Sequence, residues 1–68
     1  MTTIEALAHD LVGGLQSREE VRDVAESGVT DTFFGDWSTA AGIVDSPELR
    51  AAMQADARER IAAAEAAG

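Results

Sequence analysis

The chain has 68 residues, of which 46% are hydrophobic, and this suffices for one small domain with its own core. It contains no cysteine, which excludes disulfides, thiolate metal sites and cysteine nucleophiles. Thirteen acidic residues against five arginines give a net charge of −8, which disfavours generic electrostatic binding to nucleic acid and favours a basic partner. An acidic host proteome or adaptation to high salt would produce the same balance.

The distribution of apolar residues argues against a membrane protein. No apolar run approaches the roughly 18 residues that a membrane-spanning helix needs. The first ten residues carry acids and no base, unlike a secretory signal peptide. We therefore expect residues 1–68 to form a single helical domain that is cytoplasmic or part of a soluble assembly.

A helix is predicted over residues 3–13. Its apolar residues recur at the three- and four-residue spacing that places them on one helical face. Thr2 and Glu5 form a capping-box pattern at its start, and Gly13 followed by Gly14 predicts its end through left-handed cap geometry. The apolar face of this helix comprises Ile4, Leu7, Ala8, Leu11, Val12 and Leu15.

A second helix is predicted over residues 18–27, between a capping box of Ser17 with Glu20 and a stop at Gly28. Its narrow apolar side consists of Val21, Val24 and Ala25. At about 100° per residue, Glu19, Asp23 and Glu26 fall together on the opposite side, with Glu20 nearby. We call these four residues the acidic face. The acidic face is the candidate site for binding a protein partner and consists of Glu19, Glu20, Asp23 and Glu26.

A third helix is predicted over residues 31–43. It would place Phe33, Phe34 and Trp37, the chain's three aromatic residues, on one apolar stripe. Gly35 lies within this segment and lowers helix propensity, so a break there is an alternative. The stripe favours a core position for the aromatic rings. If the helix breaks and the rings are exposed, Phe33 and Phe34 are instead a candidate hydrophobic anchor of an interface.

The last predicted helix, over residues 47–66, is the longest. Ser46 is placed to cap it, Pro47 suits the first helical position, and Glu48 lies in the first turn. Beyond Ile61 its apolar side consists of alanine alone. This end of the helix is therefore predicted either to fray or to pack against another copy of the chain.

The chain shows no alternating strand pattern, so the predicted fold is all-α. The architecture is a small bundle of about four helices, with the last helix longest. Large apolar residues from every predicted helix are expected to form one core. These residues are Ile4, Leu7, Leu11, Leu15, Val21, Val24, Val29, Phe33, Phe34, Trp37, Val44, Leu49 and Met53.

The residue types needed for catalysis or metal binding are scarce. His9 is the single histidine, and because it lies off the apolar stripe we expect it to be exposed. No calcium-loop or phosphate-loop motif is present. We therefore predict no catalytic residue, no metal ligand and no cofactor, and a protein that is not an enzyme.

The segment VRDVAESGVTDTFF has the outline of a helix-turn-helix. A DNA-reading second helix needs basic or amide side chains, yet no Lys, Arg, Asn or Gln occurs between Arg22 and Arg50. The spacing between alanine and glycine is also one residue shorter than usual. Direct nucleic-acid binding is therefore the least favoured of the functional hypotheses.

Two other hypotheses remain. The leading one is a small acidic interaction module, accessory or inhibitor-like, that binds a larger and basic protein through the acidic face. The other is a structural component of a large assembly such as a virion, with self-association through the C-terminal helix. In that case Arg50, Arg58 and Arg60 would pair with the acidic half of a neighbouring copy.

Overall fold

The computed structural model describes residues 3–15, 17–31, 43–44 and 46–67. These residues contain three helices, α1 (Thr3–Gly13), α2 (Arg18–Ser27) and α3 (Pro47–Ala67), and none of them lies in a strand. The all-α class is confirmed, and the predicted bounds match except that α3 ends one residue later. The predicted helix over 31–43 lies largely outside the described residues, and its last residue, Ile43, is not helical. A count of about four helices stays a prediction.

Local side-chain caps define where α2 and α3 begin. The Ser17 hydroxyl accepts a hydrogen bond from the Glu20 amide at 3.2 Å. In the same way, the Ser46 hydroxyl accepts from the Leu49 amide at 3.1 Å. Each cap satisfies an amide that has no partner inside the helix, as the sequence predicts. Thr2, the predicted cap of α1, lies outside the described residues.

The two short helices end in different ways. At the end of α1, the Gly14 amide donates to the carbonyls of Asp10 and Leu11, both at 3.1 Å, without a positive φ angle. The predicted left-handed cap at Gly13–Gly14 is therefore wrong, because a tightened last turn already satisfies these carbonyls. At the end of α2, Gly28 has φ 78° and donates to the carbonyl of Val24 at 2.9 Å.

Helix α3 is the element on which α1 and α2 both pack. Along α1, His9 lies against Asp56, and Gly13 lies beside Arg60. Residue numbers thus rise together on the two helices, so α1 runs parallel to α3.

Helix α2 meets α3 in the opposite order. Arg58 reaches Ala25 near the end of α2, and Arg50 reaches Val29 just beyond it. Residue numbers fall on α3 as they rise on α2, so these two helices are antiparallel. Because Val24 and Ala25 are the buried residues of α2, Glu19, Asp23 and Glu26 lie on the side of the helix away from the core.

Among the described residues, the core is built largely from small side chains. Met53 and Val12 are the largest of these that are fully buried. Alanines occupy several of the most buried positions, which lets the helices approach closely at the centre. The buried set is Ala8, Val12, Val24, Ala25, Leu49, Met53 and Ala57, with Leu11, Leu15, Val21, Val29, Ile43, Ala52 and Ile61 partly buried around it.

Three predicted core residues are exposed instead. Ile4 and Leu7 are 39% and 36% exposed, because Ala8 and Val12 occupy the centre of the face that α1 turns to α3. Val44 is 85% exposed. Its assignment assumed helical phase, but residues 43–44 are not helical, and Ile43 is the residue that packs on the core. Phe33, Phe34 and Trp37 lie outside the described residues, so their assignment stays a prediction.

We expect Gly28→Ala to lower the free energy of unfolding by about 1–3 kcal/mol, because a side chain strains the backbone at this positive φ angle. Gly14→Ala is the matched control. A Cβ atom there would meet the carbonyl oxygen of Leu11 at 3.5 Å, an ordinary contact, without positive φ. Its effect should stay within about 0.5 kcal/mol. Urea unfolding of both variants measures the difference. Equal losses in the two variants would show that the positive φ angle of Gly28 has no special cost for a side chain.

Candidate functional site

The acidic face is fully displayed on the outer side of α2. All four of its residues are exposed. None of their carboxylates forms an ion pair or a side-chain hydrogen bond with another residue in the described part of the chain. The buried side of α2 is formed by Val24 and Ala25, on the opposite side of the helix. Glu19, Asp23 and Glu26 therefore share one open side of α2, and Glu20 lies about 60° around the helix from Asp23, toward Val24.

Several of these charges oppose the stability of α2. Glu19 with Asp23, and Asp23 with Glu26, are like-charge pairs one helical turn apart, and each such pair is mildly destabilising. Glu26 also lies in the last turn, where the helix dipole disfavours a negative charge. No basic residue lies in that turn to offset it. The surface is consequently negative, with Arg18 and Arg22 of the same helix alongside as partial compensation.

The carboxyl-terminal end of α2 receives its positive charge from α3. The carbonyl of Ala25 accepts hydrogen bonds from Arg58 Nε at 3.0 Å and from Gln54 Nε2 at 3.3 Å. This carbonyl is one of the last four of the helix, which have no partner inside it. A cation at this end is favoured by the helix dipole as well. Arg58 and Gln54 thus act as a cap supplied by another helix.

Arg50, also on α3, makes a similar hydrogen bond to a backbone carbonyl just beyond α2. Its Nη1 atom donates to the carbonyl of Val29 at 3.3 Å and to Oδ1 of Asp31 at 2.6 Å. The Asp31 side chain is almost fully exposed, so this ion pair contributes little through charge alone. The bond to the carbonyl ties the segment after α2 to α3.

A cluster of three charged or polar side chains joins α1 to α3. His9 Nδ1 lies 2.8 Å from Asp56 Oδ1, and Arg60 Nε donates to Asp56 Oδ2 at 2.6 Å. Arg60 Nη2 donates to the backbone carbonyl of His9 at 2.8 Å. Asp56 is only 14% exposed, whereas His9 is 54% exposed. The cluster therefore holds α1 and α3 together through hydrogen bonds at one edge of their contact.

The carboxylate fixes the proton on His9. Because an ionised carboxylate only accepts hydrogen bonds, Nδ1 must carry the hydrogen that points to Asp56. Arg60 Nη2 lies 3.1 Å from Nδ1, but a protonated Nδ1 has no free lone pair to accept a hydrogen bond. Arg60 Nη2 donates to the His9 carbonyl instead. The ring is thereby held in the Nδ1-protonated form.

The same contacts keep Asp56 ionised. Burial on its own would raise the pKa of this carboxyl. The hydrogen bonds from Arg60 and His9, together with their charges, outweigh burial and hold the pKa of Asp56 below its ordinary value. The group is consequently a carboxylate throughout the neutral range.

A hydrogen-bonded histidine and aspartate also occur in nucleophilic catalysis, where the free ring nitrogen faces a hydroxyl or thiol. Here the atom recorded beside Nε2 is Arg60 Nη2, at 3.5 Å. No hydroxyl in the described part of the chain hydrogen-bonds to His9. The described residues also contain no group of three or more His, Asp or Glu side chains able to hold a metal ion. Within the described residues, the cluster links two helices.

The sequence indicates the exposure of His9 and misses its partners. One local signal was available, because Asp56 and Arg60 are four residues apart on a helix and form an ion pair there. The contact of that pair with His9 spans 47 residues and depends on how α1 lies on α3. Phe33 and Phe34, the candidate hydrophobic anchor, lie outside the described residues.

No helix in the described ranges combines the length and apolar character required to cross a bilayer. Comparison with protein-family models, with curated proteins and with solved structures finds no significant match. Function must therefore be argued from the surfaces of the chain itself.

We expect Asp56→Asn to lower the free energy of unfolding at pH 7 by about 1–3 kcal/mol, because Arg60 and His9 lose a partly buried charged acceptor. Since the folded pKa of Asp56 is depressed, its contribution is complete above the unfolded pKa of about 3.9 and is lost as pH falls through the folded pKa. The difference between wild type and variant should therefore vanish in acid.

Urea unfolding between pH 2.5 and 7 measures this difference. Glu65→Gln is the control, because Glu65 is an exposed carboxylate on the same helix. It should change stability little at any pH. A loss at Asp56→Asn that stays constant down to the lowest pH would show that its charge does not stabilise the fold.

Proposed function

We propose that the chain is a small non-enzymatic interaction module, accessory or inhibitor-like, that binds a basic surface of a larger protein through the acidic face of α2. One observation carries this proposal. All four carboxylates of the face are exposed and lack a counterion among the described residues. We also propose that residues 31–43 form a further helix and that the protein is cytoplasmic.

The use of the arginines supports this view. Residues 1–45 carry nine acids and two arginines, whereas residues 46–68 carry four acids and three arginines. The three arginines of the second group, Arg50, Arg58 and Arg60, hydrogen-bond to the backbone at or near the ends of α1 and α2. They neutralise helix ends and leave the acidic face uncompensated. A partner is therefore the natural source of its counterions.

The geometry of α2 sets the spacing that a partner must match. At 1.5 Å per residue, Glu19 and Asp23 are about 6 Å apart along the axis, and Glu19 and Glu26 about 10 Å. Positive groups at similar intervals on a basic protein would meet three carboxylates at once. Because the face is open to solvent, its attraction would act mainly on the association rate and would weaken with salt.

We expect neutralisation of the acidic face to weaken partner binding while leaving the fold intact. The variant Glu19→Gln/Asp23→Asn/Glu26→Gln removes two like-charge pairs and a negative charge from the last turn of α2, but it also removes the favourable charge of Glu19 in the first turn. Because these effects oppose one another, its free energy of unfolding should change by less than about 1 kcal/mol. Binding to partners captured from the host should fall by about tenfold or more at low salt.

The control Glu48→Gln/Glu59→Gln/Glu65→Gln removes the same number of charges from exposed positions on α3. It should retain binding, which is then measured directly with the purified partner over a range of salt concentrations. Equal losses in both variants would show that only net charge matters. Salt-independent binding that survives in the acidic-face variant would eliminate the electrostatic proposal.

The assembly hypothesis is the alternative, and the far end of α3 favours it. The helix continues to Ala67, and its residues 62, 63 and 65–67 are exposed. Such an end is available to another subunit. Light scattering across a range of concentrations, on the full chain and on a chain ending at Ile61, separates the two. Self-association lost on truncation supports assembly, and a monomer at every concentration argues against homotypic assembly.

A further inference from the structure

A cleft lies where the end of α1 and the start of α2 meet the second half of α3. Its volume is about 310 Å³, which is at the small end of the range for ligand sites in proteins. It shares no residue with the acidic face, which begins at the next position after Arg18, and none of the described carboxylates lines it. In a chain with thirteen acids and five arginines, the charged residues that line this cleft are two arginines.

Arg60 is one of them, and its position is fixed. Its Nε atom is bound to Asp56 and its Nη2 atom to the carbonyl of His9. Its Nη1 atom makes no hydrogen bond to another described residue. The guanidinium reaches the cleft beside Gly13, where a Cβ atom would lie 3.3 Å from Nη2 and 3.7 Å from Nη1. Arg60 therefore presents a donor whose orientation is already set, so little side-chain freedom is lost on binding.

Arg18 is the second cation and lies at the start of α2. It is exposed, and its side chain forms no ion pair or hydrogen bond with another described residue. Because a guanidinium carries several donors in a planar fork, a free one beside a fixed one suits an oxygen anion. The Ser17 hydroxyl, which also lines the cleft, accepts from the Glu20 amide and keeps its own proton available to donate.

The remaining wall of the cleft is apolar. Aliphatic side chains of α2, α3 and the residue Leu15 after α1 lie over the buried Val12, and they offer a surface for a short hydrocarbon chain. A bare inorganic anion would leave this surface unused. The residues concerned are Val12, Leu15, Val21 and Ala64.

We propose that this cleft is a binding site for a small organic carboxylate with a short aliphatic chain. The carboxylate is held between Arg18 and Arg60 Nη1, and the hydrocarbon lies along the apolar wall. Binding of such an acid adds a negatively charged ligand to a chain that is already acidic. The site is independent of the acidic face, so either proposal can fail without the other.

The probe is valerate, added to the isotope-labelled full chain at constant ionic strength and pH 7. We expect saturable NMR shifts at the amides of Val12, Val21 and Ala64, with a dissociation constant in the low millimolar range. Pentylammonium, with the same chain and opposite charge, and inorganic phosphate, without the chain, are the comparison ligands. Both should bind at least about fivefold more weakly.

Arg18→Gln should weaken valerate binding about fivefold or more, since it removes one of the two cations without touching the α1–α3 cluster. Arg22→Gln is the matched control, because Arg22 is exposed on the same helix and does not line the cleft. It should bind valerate as wild type does. Gly13→Ala keeps every charge but crowds the Arg60 guanidinium, and it should also weaken binding.

Three results would overturn the proposal. The first is the absence of saturable shifts up to about 50 mM valerate, well above the affinity expected for a ligand of this size. The second is equal binding of pentylammonium or phosphate, which would remove the role of the arginines or of the apolar wall. The third is equal weakening by Arg18→Gln and Arg22→Gln, which would reduce the effect to net charge.

Discussion

Both short helices depend on α3 for the positive charge at their carboxyl-terminal ends. Neither α1 nor α2 carries a basic residue in its last turn. Arg60 supplies the cation for α1 through the carbonyl of His9, and Arg58 supplies it for α2 through the carbonyl of Ala25. Because these bonds join backbone to side chain across helices, they fix how far along α3 each helix sits. Apolar contacts among alanines, which have little shape of their own, would fix this register less well.

This arrangement divides α2 into two sides with opposite electrostatic roles. The inner side packs Val24 and Ala25 on α3, and its end receives Arg58. The outer side carries the acidic face with no intrachain counterion in the described residues. Arg50 and Arg58 bond at the end of α2 and just beyond it, and neither forms an ion pair with the acidic face. The carboxyl-terminal end of α2 is thus neutralised from α3, whereas the acidic face is not.

Local signals made the helix limits predictable. Ser17, Ser46 and Gly28 act on their own neighbours, so their roles follow from the sequence directly. Burial was less predictable, because it depends on which part of a helix surface meets α3. Periodicity placed Ile4 on the same stripe as Ala8, and only the docking of α1 shows that Ala8 is central. The His9 cluster has the same origin, since its partners come together only after α1 docks parallel to α3.

The capping role of the arginines also bears on the choice between partners. Arg58 uses only Nε for the carbonyl of Ala25, and Arg50 Nη1 bonds to the carbonyl of Val29 and to Asp31 at once. Because a guanidinium carries five N–H donors, either arginine could keep its carbonyl and still meet a carboxylate of a second copy. The hydrogen bonds within the chain are therefore compatible with a heterologous partner and with electrostatic pairing between copies.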